Sequence, residues 1–158
     1  MIKLCFGSLD KKLQAGLVEI APQLGIELDA DGISVSVSRG DGLTVTRDGD
    51  GVHLTYSRDS EFYRAVSMIG RVLSGASVRQ SNRFHMLCYM ADMSRNAVFN
   101  IKSCKRMIRY LALMGYDSMM LYTEDTYEIP EYPYFGRMRG RFSQAELREL
   151  DDYADRFG

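Results

Sequence analysis

The sequence predicts an α/β chain in two parts: a small α+β sandwich-type domain over residues 1–79, then the opening β/α units of a parallel-strand fold over residues 80–158. Three observations carry this reading. Short strands of alternating polarity, "ISVSVS", "LTVTR" and "VHLTY", are separated by Gly-containing turns. Helical stripes stand before and after them. Beyond residue 80 the alternation gives way to continuous apolar runs, "FHMLCYMADM" and "SMMLYT", each followed by a helical pattern.

In chain order, "IKLCFG" is a short apolar stretch, and Ser8 and Asp10 are candidate helix caps. Leu13, Leu17, Ile20 and Leu24 recur at helical spacing, with Gly25 as the stop. The strands 33–38, 43–47 and 52–56 read as an antiparallel meander, apolar on one face and Ser/Thr-rich on the other. A second helix over 59–73 places Phe62, Val66, Ile69 and Leu73 on one stripe, with Gly75 beyond its end. Its stacking with the first helix on one face of the sheet completes the small domain. The polar segment "SGASVRQSNR" (74–83) reads as the boundary.

The run 84–93 reads as a strand buried on both faces. A helix over 100–114 turns Ile101, Cys104, Ile108, Leu111 and Met114 inward, with Lys102, Lys105, Arg106 and Arg109 mostly opposite and Gly115 as its close. The next buried strand is 118–123. After a Tyr/Pro-rich loop, "FSQAELRELDDYADRFG" forms a further helix with Ser143 and Glu146 as a capping box and Leu147, Leu150, Ala154 and Phe157 as its stripe. A third strand is expected where the sequence ends, and two β/α units close no barrel, so the sequence is expected to be a piece of a longer protein.

Composition narrows the function. Across 158 residues, 46% apolar and 26% charged residues indicate a globular chain. A formal net charge of −1 gives no global field to draw in nucleic acid. No apolar run reaches membrane-spanning length, and the N-terminus lacks a secretory signal pattern, so a cytoplasmic protein is expected. Cys5, Cys88 and Cys104 read as free thiols, and with only His53 and His85 beside them neither a metal site nor a cofactor is expected.

In parallel β/α folds ligands sit at the carboxyl ends of the strands. The first strand ends in Asp92, Ser94, Arg95 and Asn96; the second ends in Thr123, Glu124, Asp125, Thr126, Tyr127 and Glu128. Hydroxyls, carboxylates and one guanidinium suit a polyhydroxylated ligand, but Arg95 could equally pair with a carboxylate and organise the rim. Glu124 and Asp125 are adjacent, so their side chains point different ways and at most one faces a shared site. Asp151 and Asp152 read as solvated, as does the basic face of helix 100–114. The loop "YEIPEYPYFGRMRGRF" either lines a carbohydrate site with its aromatics and arginines or packs on itself.

The segments "MLCYMADMSRNAV", "LALMGYDSMMLYTEDTYE" and "PYFGRMRGRFSQAELRELDDYADRFG" resemble the opening of the catalytic barrel of family-20 glycoside hydrolases, most closely the bacterial β-N-acetylhexosaminidases. The resemblance covers residues 84–158, and the preceding region is similar in type and place to the small non-catalytic domain before that barrel. It implies that residues 80–158 are the first two units of a truncated (β/α)8, or TIM, barrel. The implied activity is exo-hydrolysis of terminal β-linked N-acetylhexosamine by a substrate-assisted retaining mechanism. In that family the 2-acetamido oxygen attacks the anomeric carbon, one carboxylate stabilises the oxazolinium and a neighbouring Glu is the general acid. That Asp-Glu pair belongs to a later strand, so no catalytic residue is expected in this chain. By resemblance Arg95 binds ring hydroxyls of the terminal sugar, with Glu124 and Asp125 as secondary candidates. Many members carry His after this arginine and a Trp-containing paired-Asp motif; this chain has Asn96, "TEDTYE" and no Trp.

The expected partner is thus a glycan with a terminal N-acetylhexosamine, bound by a longer parent enzyme, the chain alone being inactive. The alternative is a self-contained carbohydrate-binding or protein-interaction module. An exposed strand edge would also favour a homo-oligomer.

Overall fold

The computed structural model describes residues 1–95 and 97–158. Six strands form one sheet: β1 (Ile2–Phe6), β2 (Ile26–Leu28), β3 (Ile33–Arg39), β4 (Leu43–Asp48), β5 (Gly51–Tyr56) and β6 (Val78–Gln80), in the order β2-β1-β3-β5-β4-β6. α1 (Lys11–Ile20), capped by the Asp10 carboxylate on the Lys12 amide, continues into a 3-10 turn that Gly25 ends at φ +64°. α2 (Asp59–Leu73) follows β5. Beyond them stand β7 (Cys88–Asp92), α3 (Ile101–Met114), β8 (Ser118–Tyr122) and α4 (Gln144–Asp155).

The three alternating segments are strands, but they are not an antiparallel meander. β5 pairs antiparallel with β4 and parallel with β3, inserting between them, and β1 pairs parallel with both β2 and β3. The sheet is therefore mixed. Alternation tells which face a strand buries, not which neighbour it takes. β5 buries Val52, Leu54 and Tyr56, whereas β3 fully buries only Val35, so the more apolar strand takes the inner place. The polar segment after α2 also contributes β6, so the sheet extends through Gln80.

The outer face of the sheet is polar, as the alternation predicts. His53 sits between the Ser36 and Ser38 hydroxyls at 2.7 and 3.1 Å, and Thr44 meets Thr55 at 2.7 Å. α1 and α2 cover the inner face. α2 buries more than the one stripe its periodicity shows: Phe62, Val66 and Ile69 are joined by Ser60, Tyr63, Ala65, Met68 and Val72. It is covered twice, by the sheet and by α3, where Ser67 and Arg64 reach the Leu113 carbonyl. One continuous apolar core runs from Leu4 to Phe157 through α2.

Polar contacts tie the same seam. Asp117 accepts hydrogen bonds from Arg58 Nη1 (2.8 Å), Ser60 Oγ (2.9 Å) and the Leu87 amide (2.7 Å). One turn further along α2, Tyr63 donates to the Arg156 carbonyl at 2.5 Å, and α4 reaches α1 through Lys12–Asp155 and Arg156–Glu19.

β7 and β8 form a parallel pair in register from Cys88–Ser118 to Asp92–Tyr122. The strand is shorter than the apolar run, and Phe84 and Met86 are exposed outside it. Nor is the pair buried on both faces: Met90 and Met120, side by side, are 58% and 52% exposed. A continuous apolar run encodes a strand with two covers, and among the described residues only one cover, from the helices, is present. Met114 likewise turns outward, while Cys104, Ile108 and Leu111 are buried as their spacing predicts. The capping box of α4 forms, with Ser143 and Glu146 exchanging backbone hydrogen bonds.

Candidate functional site

Because β7 and β8 are parallel and in register, their carboxyl ends lie at one edge, and the Met93 amide extends the ladder to the Tyr122 carbonyl at 2.8 Å. Met93 is fully buried and anchors the turn that follows. Asp92 closes that turn locally: its carboxylate accepts from the Ser94 hydroxyl at 2.6 Å and the Ser94 amide at 2.8 Å. The Ser94 hydroxyl, then its amide, hold the Asp92 carboxyl below the ordinary aspartate range. Asp92 is thus a structural cap, and Arg95 is carried just beyond it with its side chain 68% exposed.

The second strand end makes a tight turn in which the Thr126 amide bonds the Thr123 carbonyl at 3.0 Å. Thr126 is fully buried and gives its hydroxyl to the same carbonyl. Glu124 takes φ +48°, a conformation that costs a non-glycine residue on the order of 1 kcal/mol. The turn directs Glu124 back over the strand, where Tyr122 Oη donates to its Oε1 at 3.1 Å and Arg95 Nη2 approaches the same oxygen at 3.7 Å. At that separation the pair is an ion pair rather than a hydrogen bond.

Asp125 points elsewhere, as adjacency requires. Its Oδ1 lies 3.4 Å from Arg139 Nη2, and that nitrogen also donates to the Ser94 carbonyl. Arg95 and Glu124 are therefore brought together, and Asp125 is held by a different arginine. Glu128 pairs with Arg141, which also donates to the Pro133 and Phe135 carbonyls. Asn96 lies outside the described residues. Asp151 and Asp152 are exposed.

The long loop after β8 packs partly on itself and leaves part of its aromatic surface open. Tyr127 packs edge-on against Phe135 with centroids 5.3 Å apart, and a short bridge joins Tyr127 to Phe142. Tyr132 and Tyr134 remain largely exposed, with Arg137 over the Tyr134 ring. The role of Arg139 was not visible in sequence, because its partners lie 45 and 14 residues away and neither spacing belongs to a local motif. Among the described residues, no group of three or more His, Cys, Asp or Glu side chains could hold a metal, and no helix is long and apolar enough to cross a membrane.

No family model and no curated protein matches the sequence. Solved structures do match the fold. The exo-β-N-acetylglucosaminidase of glycoside hydrolase family 20 from Vibrio harveyi, solved with N-acetylglucosamine, aligns with a TM-score of 0.72 at 16% identity, covering 99% of this chain and 31% of that one. The Streptomyces plicatus N-acetyl-β-hexosaminidase, solved with thio-NAglucal, aligns at 0.73 and 18% identity over 98% of this chain and 40% of that one. The Bacteroides fragilis β-N-acetylhexosaminidase aligns at 0.68 and 17% identity over 99% and 38%. The chain thus spans between three and four tenths of the length of these proteins. Across nearly all of its own length, it has the fold of a portion of the family-20 β-N-acetylhexosaminidases.

Proposed function

We propose that this chain forms the sugar-capturing edge of the active site of an exo-acting β-N-acetylhexosaminidase. Arg95 would take the ring hydroxyls of the terminal N-acetylhexosamine, with Glu124 as its partner at the strand ends. The observation that carries the reading is the meeting of Arg95 and Glu124 across the carboxyl ends of two parallel strands. It gains weight because this fold recurs in β-N-acetylhexosaminidases solved with N-acetylglucosamine.

The chemistry fits. Guanidinium and carboxylate together offer donors and acceptors to a polyol, and a half-exposed pair exchanges its ionic contact for charge-assisted hydrogen bonds at modest cost. Such a pair grips the non-reducing end and leaves the glycosidic bond to other groups. Bond cleavage would then follow the substrate-assisted route, with the acid and the oxazolinium-stabilising carboxylate supplied by later strands of a longer barrel. On this reading residues 1–158 alone turn over no aryl N-acetyl-β-glucosaminide, and robust turnover by them would overturn it. In the intact parent protein, Arg95→Ala should raise KM for 4-nitrophenyl N-acetyl-β-D-glucosaminide by about 10–100-fold with a smaller change in kcat. Unchanged kinetics would refute the role of Arg95.

A further inference from the structure

We infer that Arg139 is a positioning residue for the sugar-binding edge, cross-linking the two strand ends so that Arg95 is presented while Asp125 is withdrawn. This rests on the proposed sugar-capturing role of Arg95. The geometry is specific. One terminal nitrogen, Arg139 Nη2, donates to the carbonyl of Ser94, the residue immediately before Arg95, and sits 3.4 Å from Asp125 Oδ1, the residue immediately after Glu124. A single side chain from the long loop therefore touches the neighbour of each member of the Arg95–Glu124 pair.

The backbone around it is built for that reach. Gly136, Met138 and Gly140 take φ of +64°, +64° and +70°, so left-handed residues alternate with Arg137 and Arg139. Met138 does so as a non-glycine with its side chain 97% exposed, and no burial offsets the strain. A Cβ on Gly136 would lie 2.1 Å from the Asp125 carbonyl oxygen, and one on Gly140 would touch the Val98 side chain at 3.6 Å. The loop after β8 is thus threaded against both the Glu124–Asp125 turn and the segment after β7.

Two consequences follow chemically. A carbonyl held by a guanidinium fixes the peptide plane between Ser94 and Arg95, and with it the direction in which the Arg95 side chain leaves the backbone. Pairing Asp125 with Arg139 also keeps a second carboxylate from competing with Glu124 for Arg95. Because one nitrogen serves both partners, a lysine ammonium can replace it in part, whereas methionine, of similar length but without charge or donors, cannot.

The test has two arms. In the intact parent protein, Arg139→Met should raise KM for 4-nitrophenyl N-acetyl-β-D-glucosaminide about tenfold while kcat stays within about twofold, and Arg139→Lys should recover at least about half of the loss on a logarithmic scale. Added to Arg95→Ala, Arg139→Met should cause no further loss, because it acts through Arg95. An unchanged KM, or losses that multiply, would overturn the inference while leaving the role of Arg95 standing. The second arm needs no turnover. In residues 1–158, Arg139→Met should speed hydrogen exchange at the Ser94 and Arg95 amides by about tenfold and leave the β7 and β8 ladder unchanged. Equal exchange in the two proteins would overturn the inference even if Arg95→Ala proves to have no effect on kinetics.

Discussion

Arg95 Nη2 lies 3.7 Å from Glu124 Oε1 across the ends of β7 and β8, with the two side chains 68% and 44% exposed. Exposed pairs of this kind contribute at most about 1 kcal/mol to folding. Yet Glu124 occupies a left-handed backbone position to reach it. On the proposed sugar-binding reading, the pair serves capture of a ligand and adds little to folding. A double-mutant cycle of Arg95→Ala and Glu124→Ala is therefore expected to show a coupling below about 1 kcal/mol in urea unfolding. A coupling above about 2 kcal/mol would make the pair a structural element of the rim instead.

Gly16→Ala offers a contest with a definite winner. Alanine in a helix interior is favoured over glycine by about 1 kcal/mol. Here the added Cβ would stand 2.3 Å from Tyr63 Oη and 2.6 Å from the Arg156 carbonyl oxygen. Tyr63 is fully buried and tied to that carbonyl, so neither neighbour yields cheaply. The substitution should destabilise by about 1–3 kcal/mol despite its better propensity, as thermal unfolding would read directly.

Asp117 joins α2, the β7 approach and the start of β8 through three hydrogen bonds. Removing it leaves Arg58 half-buried and without its main partner, and Arg58 Nη2 already has no hydrogen bond. Asp117→Ala is expected to cost about 2–3 kcal/mol, lowering Tm by roughly 5–10 °C, with Asp117→Asn milder because it still accepts.

The pH limits of stability have separate origins. Burial pushes the Glu61 carboxyl upward, but the Ser57 hydroxyl, the Ser57 and Arg58 amides and the Arg58 guanidinium outweigh it, so its pKa falls below the ordinary glutamate value. A depressed carboxyl stabilises the fold above its unfolded pKa, and that contribution is lost as pH falls through the folded one. Glu61→Gln should flatten the acid limb of a stability-against-pH curve. On the alkaline side, burial pushes the Cys104 thiol up to about 11. The unfolded thiol ionises first, so stability declines as pH rises from about 9 toward 11. At neutral pH, iodoacetamide should modify exposed Cys88 and spare Cys104, which peptide mass spectrometry would show.

β7 and β8 pair only with each other among the described residues, and one face of the pair carries Met90 and Met120 into solvent. Unpaired parallel edges with an apolar face recruit other chains. Residues 1–158 are expected to associate as concentration rises in light scattering. A strictly monomeric species at high concentration would count against this.

Helices were the most legible part of the chain. The 59–73 helix stands where its stripe placed it, and Asp10, Gly25, Gly115 and the Ser143–Glu146 box act as the caps their types imply. These are local devices, and local chemistry can be read locally. Strand partners were not legible, because the insertion of β5 between β3 and β4 depends on which strand has most to bury. The site divides in the same way. Strand order brings Arg95 and Glu124 to one edge, and adjacency alone separates Glu124 from Asp125. The grip of Arg139 on Ser94 joins residues 45 apart, a distance no periodicity encodes.

The double coverage of α2 bears on how this chain can be divided in the laboratory or in evolution. A helix whose opposite faces belong to different layers cannot be assigned to either one. Cutting near residue 79 would sever β6 and strip α3 from Arg64 and Ser67, so the first half should be poorly soluble by itself, as expression of residues 1–79 would show. Such a cut would open the apolar core that joins Leu4 to Phe157.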